Sequence, residues 1–300
     1  MIAQRYQLLR VLGEGGMGQV WEARDDLASV SVALKLIHPT LREHPKLRQR
    51  FLREARAVVA AAHPNVVRVH DVLEVSDGTL AIAMELLAGE TLRARLTRQE
   101  VLSARETAAI FVPVISAAGT AHSLGIVHRD LKPENIFLSR AQGLEPTVKV
   151  LDFGIAQLDA EEQRSALTTP GTMLATPRYA APEQAFGDPD VDHRADIWSI
   201  GAMLYESLSG GRPIEGATRG QVLKRLMTVG IMPIGDIVPD LPNDVGSLVM
   251  QMLASDREER PPDLRLAQTV LARHTTVSAP AFAPPRRADE RASPGKPDPR

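Results

Sequence analysis

The sequence predicts an α+β chain in two lobes, a small strand-rich one followed by a larger, mainly helical one, and three observations predict it. Residues 6–36 read as short strands broken by Gly13, Gly15, Gly16 and Gly18. Residues 47–62 carry a single apolar stripe at helical spacing, made of Leu47, Phe51, Leu52, Ala55, Val58 and Val59. From Gly89 onward the apolar segments are long and helical.

Taken in order, the helix over 47–62 stops at His63-Pro64-Asn65, because proline disfavours helical geometry in the residue before it. Two strands follow, Val66 to Val75 and Thr79 to Leu87, joined at Asp77-Gly78. Residues 1–87 then form the small lobe and 88–274 the larger one, a single unit over 6–274. Ser103 to Ser123 reads as a long helix, and Pro113 inside it removes one backbone hydrogen bond and is expected to kink it. The stretch Thr107 to Val127 holds no Asp, Glu, Lys or Arg and is about long enough to span a bilayer. Pro113 and several polar residues interrupt it, so a buried helix is the better reading. Asp196 to Leu208 is a second apolar helix, and Leu264 to Ala272 a last amphipathic one. Thr275 to Arg300 carries six prolines and no periodicity, which predicts a disordered tail.

Composition narrows the classes. With 300 residues, 44% hydrophobic and 24% charged, the chain can bury a large core. A net charge of −2 gives no reason to expect a nucleic-acid or polyanion partner. The absence of cysteine excludes disulfides, thiolate nucleophiles and Cys-based zinc sites together. Met1 to Arg10 has no apolar signal region, and a reducing cytoplasm is the default location. Arg outnumbers Lys 29 to 6 and Ala is abundant, a bias typical of a GC-rich bacterial genome.

Four motifs carry chemistry. Gly13-Glu14-Gly15-Gly16-Met17-Gly18-Gln19-Val20 spells G-x-G-x-x-G-x-V between two strand-like segments. Glycines let backbone approach phosphates closely, although a flexible turn would also serve. A dinucleotide fingerprint needs a helix directly after the glycines, and here Val20-Trp21-Glu22-Ala23 continues as a strand. A Walker loop needs Lys-Ser/Thr there, and none follows. Val32-Ala33-Leu34-Lys35 ends an apolar strand on a lysine, which Glu54 of the predicted helix could hold charged and aimed.

The third motif is His128-Arg129-Asp130-Leu131-Lys132-Pro133-Glu134-Asn135. It sets a carboxylate, a cation and an amide within six residues. Asp130 can accept a hydroxyl proton, Lys132 can neutralise a migrating phosphoryl group, and Asn135 can offer an oxygen to a hard cation. The fourth, Val148-Lys149-Val150-Leu151-Asp152-Phe153-Gly154, ends a strand on a carboxylate suited to Mg²⁺.

Together these motifs resemble the protein-kinase family, and within it the eukaryotic-like Ser/Thr kinases of bacteria, over residues 6 to 274. The resemblance implies the bilobal kinase fold and transfer of the γ-phosphate of ATP to protein Ser/Thr hydroxyls, with Mg²⁺ or alternatively Mn²⁺. It places Gly13, Gly15 and Gly18 over the phosphates, and Leu12, Val20, Ala33 and Phe137 around adenine. Met84 would gate the back of the adenine pocket, and backbone groups of Glu85 and Leu87 would meet the base. Lys35, paired with Glu54, would contact the α- and β-phosphates; Asp130 is the base, Lys132 meets the γ-phosphate, and Asn135 and Asp152 hold the metal. Val58, Val69, His128 and Phe153 fall where the family stacks side chains across its lobes. Ala181-Pro182-Glu183 matches the end of the activation segment, with Arg260 as the buried partner of Glu183. Thr168, Thr169 and Thr172 become candidate phosphorylation sites, Ser165 a weaker one, with Arg129 positioned to meet the phosphate. A transient homodimer would serve autophosphorylation in trans.

One departure from the family pattern is Ala175 before Thr176, where Gly is usual. Two other classes compete. A scaffolding pseudokinase would lack one of Lys35, Asp130 or Asp152, and all three are present. A small-molecule kinase of similar fold would lack the Lys132 position and the Pro182-Glu183 segment.

Overall fold

The computed structural model describes residues 1–15, 18–37, 63–75, 78–140, 146–153, 178–216 and 219–278. Glu54 and Val58 with the rest of the predicted helix, Gly16, Gly154, Ser165, Thr168, Thr169, Thr172, Ala175, Thr176 and the tail from 279 onward lie outside them.

The first sheet has five strands, β1 (Tyr6–Gly15), β2 (Gly18–Asp25), β3 (Val30–Ile37), β4 (Val69–Glu74) and β5 (Leu80–Glu85), in the order β1-β2-β3-β5-β4. All its pairs are antiparallel. The period of two along β3 explains the continuous apolar run there. Ala33 and Ile37 join Leu80, Ile82 and Met84 in one buried cluster. Val32 and Leu34 join Tyr6, Ala23, Ala81 and Ala83 in another, on the opposite face. Both faces are covered, so both parities are mainly apolar. Lys35 shares the parity of Ala33 and Ile37 and therefore enters the first cluster's face, where it is only 5% exposed. On the other face Arg5 bridges Asp25 at 2.6 Å and Asp71 at 2.9 Å, and the hydrogen bond from Arg5 is the main reason the Asp25 carboxyl drops to about 2.

The second lobe is built on helices, numbered here among the described residues. They are α1 (Leu92–Arg98), α2 (Ala104–Ser123), α3 (Pro182–Phe186), α4 (Arg194–Ser209), α5 (Arg219–Thr228), α6 (Ile234–Ile237), α7 (Asn243–Met252) and α8 (Arg265–Ala272). Ser103 caps α2: its hydroxyl accepts from the Glu106 N–H, and the Glu106 carboxylate accepts from the Ser103 N–H. Helix α2 runs unbroken through Pro113, and residues 107–119 are buried apart from half-buried Ala109, as a helix packed on all sides requires. No helix among the described residues is long and apolar enough to cross a membrane. Helix α4 is buried from Ala195 to Leu208 and packs against α2, α6 and α7.

Between the lobes lies a small antiparallel sheet, β6 (Gly89–Thr91), β7 (Ile136–Ser139) and β8 (Thr147–Val150). Gly89 has φ of +147°, and a Cβ there would come within 2.1 Å of the Leu138 carbonyl oxygen. Only glycine allows that approach. The segment after the predicted helix stop docks on β8. Asn65 donates its side-chain amide to the Val148 carbonyl and accepts from the Val150 N–H, and the Val67 N–H donates to Val150. Strand β8 leads to Asp152, so this seam fixes where that carboxylate emerges.

Candidate active site

The glycine motif occupies the turn between β1 and β2, with Gly13 opposite Val20 and Gly15 opposite Gly18. A Cβ at Gly13 or Gly15 would meet nothing within 4 Å, so packing inside the chain does not demand glycine at either position. Glycine there leaves the backbone open to close approach by a ligand. Below the turn, Val20, Ala33, Met84 and Leu87 share one apolar cluster with Val69 and Leu151. Leu12 lies on β1 and is 41% exposed. Phe137 sits half-buried on β7, opposite Thr91 and Lys149.

Glu85 and Leu87 border this apolar floor. The Glu85 N–H is spent on the Arg68 carbonyl, and its carboxylate accepts from Lys149 at 2.7 Å and from the Arg68 N–H at 2.8 Å. Among the described residues no acceptor lies within hydrogen-bond reach of the Leu87 N–H. A half-buried donor of that kind is suited to a ligand's ring nitrogen.

Lys35 on β3 meets Asp152 at the end of β8, Nζ to Oδ1 at 2.8 Å. The partner expected from sequence, Glu54, lies outside the described residues. Asp152 has φ of +56°, a left-handed conformation that costs about 1–3 kcal/mol outside glycine and persists only where surroundings impose it. The strain turns the chain sharply enough for Phe153 to go inward. Its ring meets that of His128 at 4.8 Å between centroids. His128 Nε2 donates to the Leu151 carbonyl at 2.9 Å while Nδ1 accepts from the Asp130 N–H at 3.3 Å, so the two hydrogen bonds together select the Nε2–H tautomer.

Asp130 accepts from Lys132 Nζ at 2.7 Å. Asn135 donates its amide to the Asp130 carbonyl at 2.8 Å, which leaves its Oδ1 as the acceptor offered outward. The Leu151 N–H donates to the Asn135 carbonyl at 2.8 Å, joining the two segments that carry Asn135 and Asp152. Among the described residues no group of three or more His, Asp or Glu is arranged to hold a metal. One carboxylate and one amide fit Mg²⁺, which keeps its waters and takes the rest of its shell from substrate phosphates.

Sequence reasoning missed what holds this loop. Asp196 of α4 is fully buried and accepts from the backbone N–H groups of His128 and Arg129, each at 2.8 Å, and bonds His122 Nε2 at the same distance. Burial pushes the Asp196 carboxyl up, but the hydrogen bond and charge of His122, with the contribution of His128, outweigh it and hold the group below its ordinary range. Arg129 is thereby kept at φ of +65°. Its carbonyl accepts from the Gln184 side chain at 2.8 Å, which ties α3 to the loop. Arg93 adds a second link, to Glu134 at 3.0 Å, to Glu206 at 3.0 Å and to the Tyr179 hydroxyl. Burial first, then the Glu206 carboxylate, pushes Tyr179 up to about 12, so it remains a hydrogen-bond donor to Glu206. In the sequence Asp196 and Glu206 stand out only as isolated carboxylates in the apolar helix α4.

Comparison with known proteins places the chain among relatives. The serine/threonine-protein kinase pkn2 of Myxococcus xanthus is 36% identical over 290 residues, covering 93% of this chain and 34% of that protein. Pkn3 of the same organism is 41% identical over 215 residues, 71% of this chain and 39% of its own. PknH of Mycobacterium tuberculosis is 34% identical over 298 residues, 98% of this chain and 46% of that one. The chain thus spans less than half the length of these curated relatives. The solved kinase domain of Mycobacterium tuberculosis PknI superimposes with a TM-score of 0.69 at 26% identity, covering 91% of this chain and 97% of that one. The model of the protein kinase domain matches residues 6–273, and the chain belongs to the protein kinase family.

Proposed function

We propose that this chain transfers the γ-phosphoryl group of ATP to serine or threonine hydroxyls of a protein substrate, as a cytoplasmic catalytic domain in bacterial signalling. The observation that carries it is the convergence of Lys35, Asp130, Lys132, Asn135 and Asp152 from three separate segments onto one cleft edge. In the reaction the bond from the γ-phosphorus to the bridging oxygen breaks, a new bond forms to the acceptor hydroxyl, and ADP leaves. Asp130 orients that hydroxyl and takes its proton. Lys132, already in contact with Asp130, lies where it can offset charge on the transferring group. Lys35 and Asp152 carry opposite charges at contact distance, and a polyphosphate with its cation would divide that pairing between them. Asn135 and Asp152 would hold Mg²⁺, or Mn²⁺ in its place, which would supply positive charge beside the phosphates.

Incubation with labelled ATP, a divalent cation and a generic protein acceptor tests the reading. Label should appear on serine and threonine; a product dominated by phosphotyrosine overturns the acceptor assignment. A scaffold reading predicts no transfer at all, and a small-molecule kinase none to protein.

Autophosphorylation is expected on Thr168, Thr169 or Thr172, with Ser165 a lesser site, by transient pairing of two copies. Each phosphate would bring about −1.5 to −2 charges near Arg129, whose guanidinium currently donates to the Val191 carbonyl at 3.1 Å. Mass spectrometry after incubation with ATP reads this directly, and an active enzyme bearing no phosphate on those residues counts against it.

A further inference from the structure

A cavity of about 330 Å³ opens beside α5, and none of the cleft residues lines it. Arg178, Arg212 and Arg225 line it, and among the described residues Glu215 is the single acidic residue of the lining. Arg225 is held by its hydrogen bond to the Glu215 carbonyl at 3.1 Å. Arg212 reaches Glu206 at 3.5 Å, but that carboxylate also serves Arg93 and the Tyr179 hydroxyl. Among the described residues neither Arg178 nor Arg225 has a carboxylate within ion-pair distance. Even with Glu206 counted, the wall keeps a positive excess.

Its position matters as much as its charge. Arg178 directly precedes Tyr179, and Tyr179 is joined through Glu206 and Arg93 to Glu134, inside the turn Pro133–Asn135 that follows Asp130 and Lys132. Gln184, six residues beyond Arg178, bonds the Arg129 carbonyl. The cavity is therefore fixed rigidly to the loop that would receive the acceptor hydroxyl. A polypeptide that presents a hydroxyl at Asp130 and runs on toward Tyr179 would cross this cavity.

We propose that the cavity of Arg178, Arg212 and Arg225 is a specificity subsite that takes an anionic side chain of the protein substrate, several residues from the acceptor. This rests on the kinase reading above and deepens it. The planar forks of arginine pair bidentately with carboxylate and phosphate oxygens alike, so either glutamate or a previously phosphorylated residue has the right chemistry. Partial exposure moderates the gain. A charge-assisted pair at such a site corresponds to about tenfold in kcat/KM.

The test is a set of peptides sharing one acceptor, with Glu, phosphoserine or Lys placed in turn at each neighbouring position. At one or more positions Glu should exceed Lys by about tenfold, mainly through KM. A larger advantage for phosphoserine than for Glu would identify a primed substrate as the source of the anion; the reverse would identify a carboxylate. In Arg178→Glu and Arg225→Glu the ratio of Glu to Lys peptides should collapse or invert. The ratio is taken within each variant, so a general loss of activity cancels. Equal rates for Glu and Lys peptides everywhere, or the same ratio in wild type and both variants, overturns the subsite while leaving the kinase reading standing. Transfer to no peptide and no protein removes the kinase reading and the subsite with it.

Discussion

Asp130→Asn should lower phosphoryl transfer by about 10²–10⁴-fold, the usual contribution of one well-placed proton acceptor, with no matching loss of stability. The substitution keeps the shape of the side chain but removes its ability to take a proton. Lys132 loses its counter-ion at 2.7 Å, yet both groups are about a third exposed and can be rehydrated. What positions the loop is the backbone, through the hydrogen bonds from His128 and Arg129 to Asp196, and none of these involves the Asp130 carboxylate. KM for ATP should therefore change little, because Lys35 and Asp152 are untouched, and the loss should fall on kcat. Steady-state kinetics and a urea unfolding curve on the same preparation check both halves. Retention of most of the wild-type rate would refute the assignment of Asp130, and an equal fall in stability would show that the loss came from the fold. Asp152→Asn should cost a similar factor but differ in kind, raising the requirement for divalent cation.

The residues of the site were legible where their chemistry is contiguous in sequence. Asp130, Lys132 and Asn135 lie within six residues, so one loop brings them together whatever surrounds it. Lys35 was legible as the lysine that ends the apolar run Val32-Ala33-Leu34, and the structure buries it on the face shared by Ala33 and Ile37. Two further features were opaque. Asp196 acts on backbone atoms more than sixty residues away, and a carboxylate near a helix start reads equally well as a cap. The links of Arg93 to Glu206 and Tyr179 join charges and a ring that share no local pattern. Short elements escaped as well. Strand β6 has three residues and β7 four, too few for any period to show, and their register hangs on the close approach at Gly89. Helix α1 buries only Leu92 and Leu96, two positions that fit a turn as well as a helix.

Loss of the buried pair between Arg260 and Glu183 should be the largest stability effect in the chain outside the apolar core. The two side chains form a bidentate contact, at 2.7 and 2.8 Å, with Arg260 wholly buried and Glu183 nearly so. Arg260 also donates to the carbonyls of Ala254 and Arg194 and lies 5.1 Å from the centre of the Trp198 ring. With the Ser255 carbonyl at 3.3 Å, each of the five guanidinium N–H donors has a partner within the protein. Arg260→Met removes all of them and leaves Glu183 as an uncompensated buried charge, which typically costs about 3–5 kcal/mol. For a domain of this size that is a fall in Tm on the order of 10 °C. Arg260→Lys should recover only part of it, since a single ammonium cannot span both carboxylate oxygens and reach the carbonyls too. The double variant Glu183→Leu with Arg260→Met separates the causes. If the stranded charge dominates, the pair of changes should cost less than Arg260→Met alone; if the lost carbonyl hydrogen bonds dominate, it should cost as much or more. Activity should fall with stability in the single variant, because Glu183 starts the same short helix whose Gln184 holds the Arg129 carbonyl. Thermal unfolding of the three variants, with transfer rates measured well below each midpoint, checks the order. An Arg260→Met protein that unfolds within 2–3 °C of wild type would mean that water or a neighbouring cation reaches Glu183 after all.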